Sequence, residues 1–188
     1  MAAARNQVRI IGGEWRSRLI AFAPRADLRP TPDRVRETLF NWLGQDLTGK
    51  CCLDLFAGSG ALGIEALSRG ASSCTFVERA PSALRSLRDN LARLGAPADC
   101  VRVRATDYQR ALKADAARAT LYNLVLVDAP YARYAAVEPV LAAVLRPVLA
   151  PRALVVVETA RGQEVRLPLV ERSVKLYGDT RVTFLSEV

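Results

Sequence analysis

The chain has 188 residues, a formal net charge of +8 and no histidine. That length suits one domain with a substantial buried core, and 51% hydrophobic with 24% charged residues is the balance of a globular enzyme, not of a disordered or fibrous chain. The missing histidine excludes His general bases, Ser-His and Cys-His nucleophile pairs and most catalytic zinc sites, so carboxylates, hydroxyls, backbone groups or a cofactor must carry any chemistry.

Several further classes drop out. No apolar run reaches the roughly 18 residues needed to span a bilayer, and Met1 to Asn6 lacks the apolar core of a signal peptide. A cytoplasmic protein with no membrane partner is the expectation. Cys51, Cys52, Cys74 and Cys100 match no zinc spacing, and three of them fall in strand-like stretches, so they read as small core thiols with no metal site.

Charge is concentrated at the N-terminus. Residues 1 to 36 hold eight arginines (Arg5, Arg9, Arg16, Arg18, Arg25, Arg29, Arg34, Arg36) against Glu14, Asp27 and Asp33. A general preference for arginine would explain the ratio of 24 Arg to three Lys but not this clustering. The planar guanidinium fork suits phosphate, so the cluster is expected to contact nucleic acid, with Arg9, Arg16, Arg18, Arg29 and Arg36 as candidate RNA-binding residues.

In chain order, Val8 to Phe22 reads as a hairpin or bent ribbon around Gly12-Gly13. Arg29-Pro30-Thr31-Pro32 is a rigid turn, with Thr31 as cap of a helix carrying Val35, Leu39 and Trp42-Leu43 at helical spacing. Strands and helices then alternate. Strand Cys51 to Phe56 precedes helix Ala61 to Arg69, strand Ser73 to Glu78 precedes helix Pro81 to Leu94, and Val101 to Val103 is a short third strand. Leu121 to Asp128 is a very apolar fourth strand, Ala135 to Leu149 a helix in which Pro139 and Pro147 argue for a break or shortened ends, and Leu154 to Glu158 a fifth strand. Glu171 to Tyr177 and Arg181 to Leu185 close the chain as a hairpin. Apolar strands alternating with helices predict an α/β, Rossmann-like fold: a doubly wound, mostly parallel sheet with a C-terminal antiparallel hairpin. Residues 1–188 are read as one domain, 1–44 forming a basic RNA-facing appendage and 45–188 the cofactor-binding and catalytic core.

Asp54-Leu55-Phe56-Ala57-Gly58-Ser59-Gly60 sits at the first strand-to-helix turn of that core, where an open α/β sheet binds its ligand. Gly58, Gly60 and Gly63 satisfy G-x-G-x-x-G, a weak signal alone that tight strand-on-helix packing would also explain. Glu78 ends the second strand 20 residues after Gly58, where a carboxylate accepts from ribose hydroxyls. Asp54 stands inside an apolar strand, where a charge without a partner is rare. It would repel a pyrophosphate and favour a cation, and S-adenosylmethionine carries an ammonium and a sulfonium. Asp107 is placed to accept from the adenine amino group, or equally to cap a helix. The cofactor candidates are therefore Asp54, Phe56, Gly58, Ser59, Gly60, Glu78, Arg79 and Asp107.

Asp128-Ala129-Pro130-Tyr131 follows the fourth strand and so reaches the same edge of the sheet. An exocyclic base amine is a poor nucleophile because its lone pair is delocalised into the ring. Acceptors on its hydrogens, the Asp128 carboxylate and the Ala129 carbonyl, favour the pyramidal geometry needed for attack on a methyl group. Tyr131 offers a face on which an extruded base stacks. A plain turn is the structural alternative.

The sequence resembles the bacterial family of 16S ribosomal RNA guanine-N2 methyltransferases, of the small-subunit methyltransferase D type. The resemblance runs along nearly the whole chain. It rests on Arg9-Ile10-Ile11-Gly12-Gly13, Arg29-Pro30-Thr31-Pro32 through Arg34, Arg36-Glu37, Phe40-Asn41, the Asp54 to Gly60 loop, Gly63, Glu65-Ala66, Val77-Glu78 and Tyr177-Gly178-Asp179-Thr180. It implies that Gly58, Gly60, Glu78 and Asp107 bind S-adenosylmethionine, that Thr31 and Arg34 approach the active site and so join the cofactor-binding candidates, and that Asp128, Ala129, Pro130 and Tyr131 hold the target guanine. It implies as partner 16S ribosomal RNA or a small-subunit assembly intermediate, methylated at the guanine N2 amine; separately, a monomer is the expectation. One departure stands out: the family normally has two prolines after the acid, and Ala129 replaces the first, which loosens the loop. The rivals are an adenine-N6 DNA methyltransferase, disfavoured by the short chain, a non-catalytic RNA-binding protein on the same fold, and a nicotinamide dehydrogenase, which conflicts with Asp54.

Overall fold

The computed structural model describes residues 7–22 and 33–187. Thr31 and Arg29, and with them the expected cap of the first helix, lie outside the described residues. A two-stranded antiparallel ribbon, β1 (Gln7–Arg9) and β2 (Leu19–Ala21), precedes α1 (Asp33–Leu43). The core then runs β3 (Cys51–Asp54), α2 (Ala61–Ser68), β4 (Ser73–Glu78), α3 (Pro81–Leu94), β5 (Val101–Ala105), α4 (Tyr108–Ala117), β6 (Tyr122–Val127) and α5 (Tyr131–Val144). It ends with β7 (Leu149–Ala160), β8 (Val170–Tyr177) and β9 (Thr180–Ser186). None of the described helices is long and apolar enough to cross a membrane.

The seven-stranded sheet has the order β5-β4-β3-β6-β7-β9-β8. Strands β5 through β7 are mutually parallel, and β9 pairs antiparallel with both β7 and β8. Alternate residues of each central strand feed opposite cores, as a period of two demands. Cys52, Leu124, Leu126 and Val156 face one cluster, which also takes in Leu39, Ile64 and Leu87 from α1, α2 and α3. Leu53, Val125, Val127 and Val155 face the other, shared with Leu112 of α4 and Tyr134 and Leu141 of α5. Helices therefore cover both faces, as expected of strands that are apolar throughout. Trp42 of α1 stacks on Phe184 of β9 at 4.1 Å between ring centroids, tying the N-terminal helix to the closing hairpin.

The ribbon is fastened to this core through α2. The Glu65 carboxylate, fully buried, accepts from the Ile11 and Gly12 amides at 2.8 Å each and pairs with Arg69 at 2.9 Å. Gly13 lies at φ +75, and a Cβ there would overlap the Ser68 carbonyl. Gly12-Gly13 thus serves the close approach of ribbon to helix, while the reversal itself falls on Gly13 to Arg18, with Arg16 N–H donating to Gly13 O and Arg18 N–H to Trp15 O.

Several boundaries differ from the sequence expectation, most of all at α5 and β7. The helix read as Ala135 to Leu149 begins at Tyr131, because Pro130 takes the non-helical position before it, and ends at Val144. Pro139 stays inside that helix, and Pro147 falls in a separate 3-10 turn, Arg146–Val148. Strand β7 starts at Leu149, five residues before the expected Leu154, through an irregular pairing with β6 in which Arg152 has φ +59. That irregularity is how the strand accommodates Pro151 and Arg152. Helix α4, absent from the element-by-element reading, is capped by Asp107, whose carboxylate accepts from the Arg110 amide at 3.0 Å.

Candidate active site and cofactor cradle

The sheet order reverses between β3 and β6: the chain steps outward from β3 through β4 to β5, then returns to the other side of β3. Ligands of open α/β sheets bind outside the carboxyl ends of the strands at such a reversal. Asp54 ends β3, Glu78 ends β4, Asp107 follows β5 and Asp128 follows β6. Topology thus brings four carboxylates from distant parts of the chain to one edge.

Asp54 is 2% exposed, and its Oδ2 accepts from the Gly63 amide at 3.0 Å. Burial pushes its carboxyl up to about 7, the neighbouring Glu78 charge adds to that, and the Gly63 and Phe56 amides act against it. The partner that the sequence leaves unidentified is therefore the first turn of α2. Glu78 accepts three amides: Gly58 at 3.0 Å on one oxygen, Arg79 and Ala80 at 2.8 and 2.7 Å on the other. It fastens the glycine loop on one side and the entry to α3 on the other.

Gly60 sits at φ +89, and a Cβ there would lie 2.5 Å from Leu87 Cδ1 and 2.9 Å from Ile64 Cδ1. Only glycine allows this turn to press against α3. Phe56 leans on Tyr108 with ring centroids 5.1 Å apart, forming an aromatic wall beside the loop. Tyr108 is absent from the sequence candidates. Its signal is an aromatic residue directly after Asp107, and burial pushes its phenol above the ordinary range.

A cationic cofactor fits this cradle. Two carboxylates lie at the loop, the inner one buried, and the charge of Glu78 raises the proton affinity of Asp54. A positive ligand would offset that repulsion, whereas a pyrophosphate would add to it. Asp54, Phe56, Gly58, Ser59, Gly60 and Glu78 surround the turn, with Arg79 exposed beyond it.

On the other side of the reversal, Asp128 is half-buried, Ala129 is 1% exposed, and exposed Pro130 leads into α5. Tyr131 opens that helix, and its hydroxyl donates to Glu158 Oε1 at 2.8 Å and shares a hydrogen bond with Thr180 Oγ1 at 2.9 Å. Burial, then the Glu158 charge, raises the phenol well above its ordinary range, so it stays protonated. Glu158 and Thr180 appear in the sequence only as a strand end and as part of a matching motif, not among the candidate site residues. A carboxylate ending the apolar run of β7, 4% exposed, was the available signal.

The arginines divide. Arg9 and Arg16 are exposed on the ribbon. Arg18 is exposed as well, with its guanidinium on the Arg93 and Leu94 carbonyls at the end of α3. Arg34 is exposed in the first turn of α1. Arg36, expected to contact RNA, is fully buried, donates to Arg9 O and the Asp33 carboxylate at 2.7 Å each, and lies 3.6 Å from Glu65. Buried in this way, it is not presented to a phosphate and instead holds α1 to the ribbon. The thiols of Cys52 and Cys74 are buried, and burial raises that of Cys52 to about 12, so it stays protonated.

The family model described as conserved hypothetical protein 95 matches residues 8–186. The ribosomal RNA small subunit methyltransferase D of Escherichia coli strain K12 is 46% identical over 129 residues, which span 68% of this chain and 62% of that protein. The protein of that name from Haemophilus influenzae is 37% identical over 88% of this chain and 85% of its own length. The solved structure of yhhF from Escherichia coli, assigned as a methyltransferase, superposes with a TM-score of 0.80 at 38% identity, covering 96% of this chain and 98% of that one. The sheet order, the loop between β3 and α2 and these similarities agree: this chain belongs to the conserved hypothetical protein 95 family and is a homologue of the ribosomal RNA small subunit methyltransferases D.

Proposed function

We propose that the protein transfers a methyl group from S-adenosylmethionine to the exocyclic N2 amine of a guanine in 16S ribosomal RNA, during assembly of the small subunit. The observation that carries this reading is the meeting, at one sheet reversal, of the Asp54–Glu78 cradle and the Asp128 to Tyr131 turn. When bound, the cofactor supplies an electrophilic methyl group on a sulfonium. Glu78 would hold the ribose hydroxyls, Asp54 would favour the positive end through the loop, and Asp107 would reach the adenine amine. The Asp128 carboxylate and the Ala129 carbonyl would accept from the guanine amine, leaving its lone pair directed outward for attack. The methyl–sulfur bond breaks, S-adenosylhomocysteine departs, and the surplus amine proton passes to the Asp128 carboxylate or to water. The Tyr131 ring, fixed by its hydroxyl, would stack the extruded base. The exposed Arg9 and Arg16 would meet phosphates.

Mass spectrometry of 16S ribosomal RNA from cells with and without the gene tests the reading. One guanine should lose a methyl group at N2 when the gene is removed, and regain it when the purified protein and labelled cofactor are added to that RNA or to subunits carrying it. Identical modification in both strains would sink the proposal. Methyl transfer to adenine in DNA would favour the rival enzyme.

A further inference from the structure

Asn90 lies in the middle of α3 and is fully buried, yet its side chain touches two separate parts of the site. Its Nδ2 donates to Ser59 O at 3.0 Å, inside the glycine loop, and to Ala21 O at 2.7 Å, in β2 of the ribbon. Its Oδ1 accepts from the Ala21 amide at 2.9 Å and from Arg93 Nη2 at 2.6 Å. Both amide hydrogens and the carbonyl oxygen are engaged, and the orientation is unambiguous: the two backbone carbonyls require the nitrogen, and the Ala21 N–H requires the oxygen. One small side chain thereby bridges the proposed RNA-facing ribbon and the proposed cofactor loop across 31 and 69 residues of sequence.

From this bridge we infer that Asn90 is a positioning residue that couples the two ligands: ordering the glycine loop around the cofactor also orders the ribbon, and gripping the ribbon with RNA also sets the loop. The inference rests on the functional reading above, since it takes the loop as the cofactor site. Its physical basis is that an amide held by both segments cannot lose one partner without leaving a buried polar group short on the other side. Such a coupling is reciprocal by thermodynamic necessity. Arg93, exposed on α3 and bonded to the same Oδ1, adds a third element to the bridge.

Hydrogen exchange with and without S-adenosylhomocysteine tests this on the whole protein. In the parent, the ligand should slow exchange at residues 57–60 and also at the Ala21 amide, more than in the β8–β9 hairpin, which serves as the measure of global stabilisation. Asn90→Asp keeps an acceptor for the Ala21 amide but sets an oxygen against the Ser59 and Ala21 carbonyls. Its protection should be confined to the loop, with S-adenosylhomocysteine weakened by about fivefold, the worth of roughly one neutral hydrogen bond. If calorimetry detects no S-adenosylhomocysteine binding to the parent, the cofactor reading fails. If the ligand binds but the Ala21 amide is slowed no more than the β8–β9 hairpin, the coupling is absent and this inference is wrong, whether or not the variant folds. A folded Asn90→Asp protein that keeps parental protection at Ala21 would equally overturn it.

Discussion

Tyr131 Oη and the Glu158 carboxylate meet at 2.8 Å, so the ring that opens α5 is tethered to β7, and the Thr180 hydroxyl at 2.9 Å ties it to β9 as well. Stacking alone would leave that hydroxyl idle. The tether gives it work: it fixes the plane on which a base would rest. Tyr131→Phe keeps the ring but removes a donor from a carboxylate that is 4% exposed. It should cost about 1–3 kcal/mol of stability and lower the single-turnover methylation rate several-fold. Tyr131→Ala loses the stacking face as well, worth about 1–3 kcal/mol, and should be nearly inactive. A Phe variant with parental melting temperature and rate would show the tether to be idle.

Glu78 should matter twice, once for the ribose and once for the loop. Glu78→Ala removes the acceptor of the Gly58, Arg79 and Ala80 amides along with the proposed ribose contacts. S-adenosylhomocysteine affinity measured by calorimetry should fall by roughly 1.5–3 kcal/mol, the range for charge-assisted bonds. Glu78→Gln retains one acceptor oxygen and should fall between the two. Unchanged affinity in a folded Ala variant would remove Glu78 from the site.

Asp54 should make both stability and binding depend on pH. Its folded pKa of about 7 lies above the ordinary 3.8, so the protonated form is favoured by folding. The associated stability is fully present below about pH 4 and is lost as pH rises through about 7. Thermal unfolding of the ligand-free protein should show that loss between these limits, and Asp54→Asn, which can still accept the Gly63 amide, should not. A cationic ligand prefers the ionised carboxyl, so affinity should rise over the same window with proton release, read as a buffer-dependent heat. A parent and an Asp54→Asn variant with identical pH profiles would contradict the assignment.

The buried arginine and the exposed ones should separate cleanly. Glu65→Ala leaves buried Arg69 without its carboxylate and Arg36 with Asp33 as its one carboxylate among the described residues, and should destabilise by about 3–5 kcal/mol, as for other broken buried pairs. Arg36→Ala should likewise lower the melting temperature while leaving the salt dependence of RNA binding alone. Arg16→Ala should do the reverse, reducing the slope of log affinity against log salt by about 1 if it meets one phosphate. Filter binding across a salt series, beside melting curves, checks both. A stable Arg36→Ala protein with a reduced slope would mean the arginine leaves its buried position on RNA.

Much of this molecule is legible residue by residue. The apolar runs of β3, β4 and β6 demand burial on both faces, and Pro81 and Gly95 mark α3 to its ends. The same logic fails at β7, which begins five residues before the expected Leu154 and takes in Pro151 and Arg152, and at α5, where Pro139 argues for a break and is tolerated. Local propensity is a weak prior there because pairing with β6 and packing on the sheet outweigh it.

Sequence by itself determined the alternating architecture, the glycine loop and the carboxylates Asp54, Glu78 and Asp128, because periodicity and turn chemistry are local and each of these residues closes or follows its own strand. It could not say what each polar side chain meets. Arg36 and Arg16 are alike as letters, yet one is sealed against Glu65 and the other lies in solvent. Asn90 is one polar residue on a helix until folding brings Ser59 and Ala21 to it, and Tyr131 is only an aromatic until β7 and β9 bring Glu158 and Thr180 to its hydroxyl. Those partners are decided by long-range packing, which sets the free energy of every buried polar group and which no local pattern in the chain encodes.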